Sequence, residues 1–129
     1  MYGLVTLALA AVIGCSRANM TEVQKVRSGM LDIVLLTPHE GLRHGKDTFV
    51  IEFRSAAGGA LVDVGMVRGS ATMPMAGTPM FGTVEVERTG VPGRYAATGD
   101  FNMAGTWRMT IQWDGAAGPG SVTFPGTVQ

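Results

Sequence analysis

The sequence predicts an all-β domain, an immunoglobulin-like antiparallel β-sandwich of about seven strands. Three observations predict it. First, short runs of alternating apolar and polar residues recur along the chain, and they are separated by glycine- and proline-rich turns. Second, 19 of the 129 residues are glycine, which suits a chain of many tight turns. Third, no segment after residue 30 sustains a helical period. The length allows one domain. Ten basic residues balance ten acidic ones, so the chain lacks the basic excess that a nucleic-acid-binding surface needs, and no nucleic-acid partner is expected.

The expected strands can be justified in order. Leu31–Thr37 is a continuous apolar run stopped by Pro38. In Asp47–Arg54, Phe49, Ile51 and Phe53 alternate with Val50, Glu52 and Arg54. Ala60–Thr72 is long, with Gly65 and Gly69 as candidate bulges. Thr83–Arg88 sets Val84 and Val86 against Glu85 and Glu87. Gly93–Phe101 places Tyr95, Ala97 and Phe101 on one parity. Gly105–Asp114 has the clearest pattern: Trp107, Met109, Ile111 and Trp113 alternate with Thr106, Arg108, Thr110 and Gln112. That pattern requires one buried and one wet face. Gly120–Val128 closes the series with Val122 and Phe124. By the same parity argument Met66 and Met109 are expected in the core.

The segment before residue 30 divides into two parts. Gly3–Gly14 is an apolar run of about a dozen residues, too short for a membrane-spanning helix and right for the hydrophobic stretch of a secretory signal. It ends in Val12-Ile13-Gly14-Cys15, which resembles a bacterial lipobox, so residues 1–14 are expected to be a signal peptide or a short membrane anchor. The single cysteine, Cys15, is then the lipidation site. This places the domain on the periplasmic side of a membrane as an anchored lipoprotein. Only Met1-Tyr2 precede the apolar run, without the usual basic residue. The alternative is therefore an uncleaved anchor, with Arg17, Lys25 and Arg27 flanking it. Residues 15–29 are read as a tether, with capping-box spacing at Thr21 and Gln24 that could start a short helix. The domain proper is residues 30–129.

Nine methionines are the compositional anomaly. If each of seven strands crosses the domain from end to end, successive loops alternate between its two ends. The loops after the first, third and fifth strands then share one end. They carry His39 and His44, then Met73, Met75 and Met80, then Met103. The other end carries neither Met nor His, and the tether is expected to join there. Thioether sulfur is soft and favours Cu(I), and imidazole also ligates copper. Met73 and Met75, at i and i+2, point the same way if that stretch is extended. These six residues are the candidate metal ligands, and copper is the candidate ligand. The competing reading is packing, because Met is an adaptable filler and a histidine in a glycine-rich loop is often a solvated turn residue.

Catalytic patterns are absent from the sequence. There is no nucleophile elbow, phosphate-binding loop or dinucleotide fingerprint. Asp32 and Asp63 lie within apolar runs and are read as edge or bulge residues rather than as bases. A non-enzymatic function is expected.

Three segments together carry a family resemblance: TPHEGLRHGKDTFVIEF, TMPMAGTPM and GRYAATGDFNMAGTWRMTIQW. Over about residues 30–129 the chain resembles the YtkA-like and FixH-like extracytoplasmic domains. The resemblance implies an immunoglobulin-like sandwich, exported and membrane-anchored, associated with heavy-metal efflux or copper-enzyme assembly. It implies motif positions Met73, Met75, Met80 and Met103, with Gly105 and Trp107 as structural members. A copper-binding or copper-delivery module is therefore expected. The alternative is an accessory subunit without a metal site, docked on a membrane efflux, oxidase or other respiratory complex, with Met80 and Phe81 as contact residues.

Overall fold

In the computed structural model of the chain, residues 19–129 are described. The expected signal or anchor and Cys15 lie outside the described residues. Eight strands follow in order: β1 (Thr21–Ser28), β2 (Leu31–Thr37), β3 (Gly45–Ser55), β4 (Met66–Met73), β5 (Met80–Arg88), β6 (Arg94–Phe101), β7 (Gly105–Gly115) and β8 (Gly118–Val128). All pairings between these strands are antiparallel, and no helix occurs among the described residues. The all-β class is as expected. The strands form one continuous sheet in the order β1-β2-β3-β6-β5-β4-β7-β8. The two edge strands, β1 and β8, approach each other, so the sheet nearly closes on a single core.

That core comes from the parity read in the sequence. Ile33 and Leu35 face inward from β2, and Phe49, Ile51 and Phe53 from β3. Trp107, Met109, Ile111 and Trp113 do so from β7. The aromatics gather at both ends. Phe53 meets Tyr95 and Trp113 edge-on at centroid distances of 5.5 and 5.2 Å. Phe101 tilts against Trp107 at 5.4 Å at the opposite end.

Three expectations need correction. The stretch read as a tether, with a possible helix start at Thr21, contains β1 instead. Its Val23 and Val26 pack against the core, and it pairs with β2 from Thr21↔Thr37 to Ser28↔Leu31, with a bulge between Glu22 and Gln24. The turn is Gly29-Met30, with Gly29 at φ 58, as two-residue hairpins favour. The charged residues Lys25 and Arg27 hid an edge strand, where such residues discourage pairing with other chains.

The second correction concerns the third expected strand. It begins at Met66 rather than Ala60, because Gly65 (φ 84) turns the chain. Inside β4 the odd residues Val67, Ala71 and Met73 face the core, so Met66 points outward and is 72% exposed, not buried. Met109 is fully buried, as expected.

The third correction follows from β1. Thr21 pairs with Thr37, so the chain enters the fold at the end that carries the β2–β3, β4–β5 and β6–β7 loops. A seven-strand count put that entry at the other end. One additional crossing reverses it.

Candidate functional site

The β2–β3, β4–β5 and β6–β7 loops share one end of the sheet, as the alternation of loops predicts. The register sets Gly45 against Phe101, Met73 against Met80 and Gly105 against Val128. His39, His44, Met73, Met75, Met80 and Met103 therefore lie at one end of the sheet. Their environments differ, and the differences follow from local structure.

Met73 is the last residue of β4, and its inward parity makes it 93% buried, with 7% of its surface exposed. Its methyl group lies over Gly105. A Cβ on Gly105 would sit 2.7 Å from Met73 Cε and 3.8 Å from Sδ. The neighbouring motif residues complete a brace. The Trp107 indole N–H donates to the Met103 carbonyl at 3.0 Å. Trp107 itself is fully buried. The Met-x-Gly-x-Trp spacing thus has a packing reason. The glycine admits the Met73 side chain, and the tryptophan ties the β6–β7 loop to the core.

The other thioethers are more accessible. Pro74 leads out of β4, and Met75 beyond it is 47% exposed. Met103, in the β6–β7 loop, has its backbone held by Trp107 and its side chain 41% exposed. Met80 is half-buried and stands opposite Met73 where β5 begins. Met73 and Met80 are thus brought together by strand register, while Met75 and Met103 lie on adjoining loops.

The two histidines are held separately. His39 is half-buried, with Nε2 3.8 Å from Asp47 Oδ1, and its backbone N–H donates to Thr37 Oγ1 at 3.2 Å. His44 Nδ1 lies 2.9 Å from the Gln129 carbonyl, and the His44 backbone N–H donates to the same oxygen at 2.7 Å. That oxygen can only accept, so Nδ1 is the donor in this contact. A backbone carbonyl commonly selects the tautomer of a metal-binding histidine in this way.

The carboxylates serve structure. The Arg27 side chain, donating to Asp32 through Nε at 2.9 Å and Nη2 at 3.2 Å, draws the Asp32 carboxyl below its usual range. Asp63 accepts from Gly65 N–H at 2.9 Å and from Arg88 at 3.2 Å, and the backbone bond is the main cause of its lowered pKa. Burial raises the Tyr95 pKa, and its hydroxyl donates to the Gly65 carbonyl at 2.7 Å. On the outer face of β3, Glu52 is fully buried, bonded to Arg54 Nε at 3.1 Å and Arg94 Nε at 2.8 Å. Among the described residues no three His, Cys, Asp or Glu side chains form a cluster able to hold a metal ion. No described helix is long and apolar enough to cross a membrane.

One surface feature escaped the sequence reading. A groove of about 350 Å³ runs along the seam between β1 and β8, lined by Glu22, Gln24, Leu35, Glu40, Met109 and Phe124. It exists because the sheet stops short of closure, which strand patterns do not report. Phe81, expected as a contact residue, is 68% exposed on β5 beside the methionine loops. Its outward parity was legible in the sequence.

An antiparallel eight-stranded sheet curled round one core, with methionine-bearing loops at the end where the chain enters, defines a small all-β domain class. Comparison with family models makes this specific. The YtkA-like model matches residues 26–112, and the chain belongs to the YtkA-like family. Comparison with curated protein sequences gave no match. Among solved structures, FetP from uropathogenic E. coli strain F11, recombinantly expressed in the E. coli periplasm, is similar at TM-score 0.51 and 12% identity. The alignment covers 84% of this chain and 95% of FetP. Domains 4 and 5 of the S-layer protein SbsC align at TM-score 0.36 and 18% identity, over 98% of this chain and 84% of theirs. The FetP likeness shows a shared fold.

Proposed function

We propose that this chain is a non-enzymatic, extracytoplasmic, membrane-anchored module that binds Cu(I) or hands it on through thioethers at the chain-entry end. The observation that carries the reading is the placement of Met75 and Met103 on adjoining loops. Both are accessible, and both lie at the end that also holds Met80 and His44. The donor set is soft and neutral, as Cu(I) prefers. His44 Nε2 is the ring nitrogen that the Gln129 contact leaves unengaged. Met73 supports the site from behind by packing on Gly105. Membership of the YtkA-like family supports an exported module. The apolar run and Cys15 support anchoring through lipid or through the uncleaved segment.

The test is titration of the full chain with Cu(I) against a competing chelator. Replacing Met75 and Met103 together by Leu is expected to weaken affinity at least about ten-fold, or 1.4 kcal/mol. Unchanged affinity in that variant refutes the site. Mass spectrometry of membrane-extracted protein tests the lipid on Cys15.

The accessory-subunit reading draws on one specific observation, the exposure of Phe81, since exposed aromatic and Met side chains suit interfaces. It expects no Cu(I) binding and co-purification with a membrane complex.

A further inference from the structure

At the end of the sheet where the chain enters, the β2–β3 loop carries Glu40 and Arg43, and the other two loop segments differ from it. Met73–Gly82 and Phe101–Trp107 contain no charged residue. Three large apolar side chains stand exposed on these segments, Phe81 at 68%, Met75 at 47% and Met103 at 41%. Exposed apolar surface of this kind marks a contact with a partner or a membrane.

The chain itself says what lies nearby. Thr21 enters at this end. Five residues, Ser16–Met20, separate it from Cys15, and the apolar run Gly3–Gly14 comes just before. Fully extended, that connection spans about 20 Å. An attachment at Cys15, or through the apolar run, therefore keeps the Met75–Phe81–Met103 surface within reach of the bilayer at all times. A protein partner would have to be supplied separately.

We propose that this surface rests on the lipid bilayer, with Phe81, Met75 and Met103 in its interfacial region. The proposal rests on the anchored reading given above and is independent of copper. It turns the domain over relative to the seven-strand expectation. The methionine end faces the membrane, and the end carrying Met30 and Met66 faces away. A metal ion held by Met75 and Met103 would then be presented at the membrane surface.

The four exposed methionines among the described residues supply the test. Met30 and Met66, at the far end, are 74% and 72% exposed and act as an internal reference. The full chain, extracted from bacterial membranes, is reconstituted into vesicles of phosphatidylcholine and phosphatidylglycerol with a copper chelator present. It is then footprinted with hydroxyl radicals, and methionine oxidation is read by mass spectrometry. Met75 and Met103 are expected to oxidise at least about five-fold more slowly than Met30 and Met66, because apolar surface in the interfacial region leaves water. Phe81→Ser is expected to reduce that protection. Oxidation of all four in proportion to their exposures, in chains that float with the vesicles, overturns the proposal alone. Chains that do not float overturn the anchored reading and this proposal with it. Protection in native membranes but not in lipid vesicles identifies a protein as the occupant and also overturns the proposal.

Discussion

Gly105→Ala tests whether the Met-x-Gly-x-Trp spacing is a packing device. Two costs are expected. Gly105 has φ 143, a conformation that L side chains rarely adopt, and holding alanine there costs about 1–3 kcal/mol. The added Cβ would also lie 2.7 Å from Met73 Cε. Overpacking of a filled site typically costs about 1–3 kcal/mol. Met73 ends its strand and can yield somewhat, so a total near 3 kcal/mol is reasonable, or about 12 °C in Tm at roughly 4 °C per kcal/mol. The assay is thermal and urea unfolding of the wild type, the two single variants Gly105→Ala and Met73→Ala, and the double variant. Met73→Ala removes the group that the new Cβ strikes but leaves the backbone strain. The double variant should therefore be more stable than additivity predicts, by about 1–2 kcal/mol. A Gly105→Ala protein that melts within about 2 °C of wild type, a shift near the ±0.5 kcal/mol of an ordinary surface change, refutes the reasoning. So do single effects that add to within about 0.5 kcal/mol.

Three further outcomes are expected. Glu52→Ala removes a fully buried carboxylate shared by Arg54 and Arg94. Breaking such a pair typically costs about 3–5 kcal/mol, so urea unfolding should show a large loss, and a change below about 1 kcal/mol would contradict the pairing. Tyr95→Phe deletes the hydroxyl that bonds the Gly65 carbonyl and should cost about 1 kcal/mol with the fold retained by circular dichroism. Asp32 and Asp63 have lowered pKa values in the folded state, so the folded protein binds fewer protons than the unfolded chain. Their stabilisation is complete above the ordinary value of 3.8 and is lost as pH falls through the lower folded values. Acid titration of Asp32→Asn or Asp63→Asn should show a shallower loss of stability in that range, and an unaltered slope in both refutes the assignment.

Much of the architecture was legible in the residues. β2 falls on the expected range, and β3, β6, β7 and β8 differ from theirs by one or two residues at an end. In β2 a continuous apolar run, and in the other four a period of two in apolar side chains, marks surface that must leave water. β1 was not legible because the two apolar residues of TEVQKVRS, Val23 and Val26, are only partly buried, and its polar residues serve an edge. Met66 was misread because its parity depends on where Gly65 turns the chain. The site was legible as a location, since alternation of loops between ends requires only a count of crossings.

By itself the sequence determined the all-β class, most strand positions and the grouping of both histidines with Met73, Met75, Met80 and Met103. Those follow from local periodicity and from the requirement that an antiparallel chain reverse at each turn. Only the tertiary structure decided that Met73 is buried on Gly105 while Met75 and Met103 face solvent, because burial depends on which side chains another strand covers. It also decided at which end the chain enters. That rests on β1, whose pairing is held by cross-strand hydrogen bonds to β2 and two half-buried valines that no local pattern reveals.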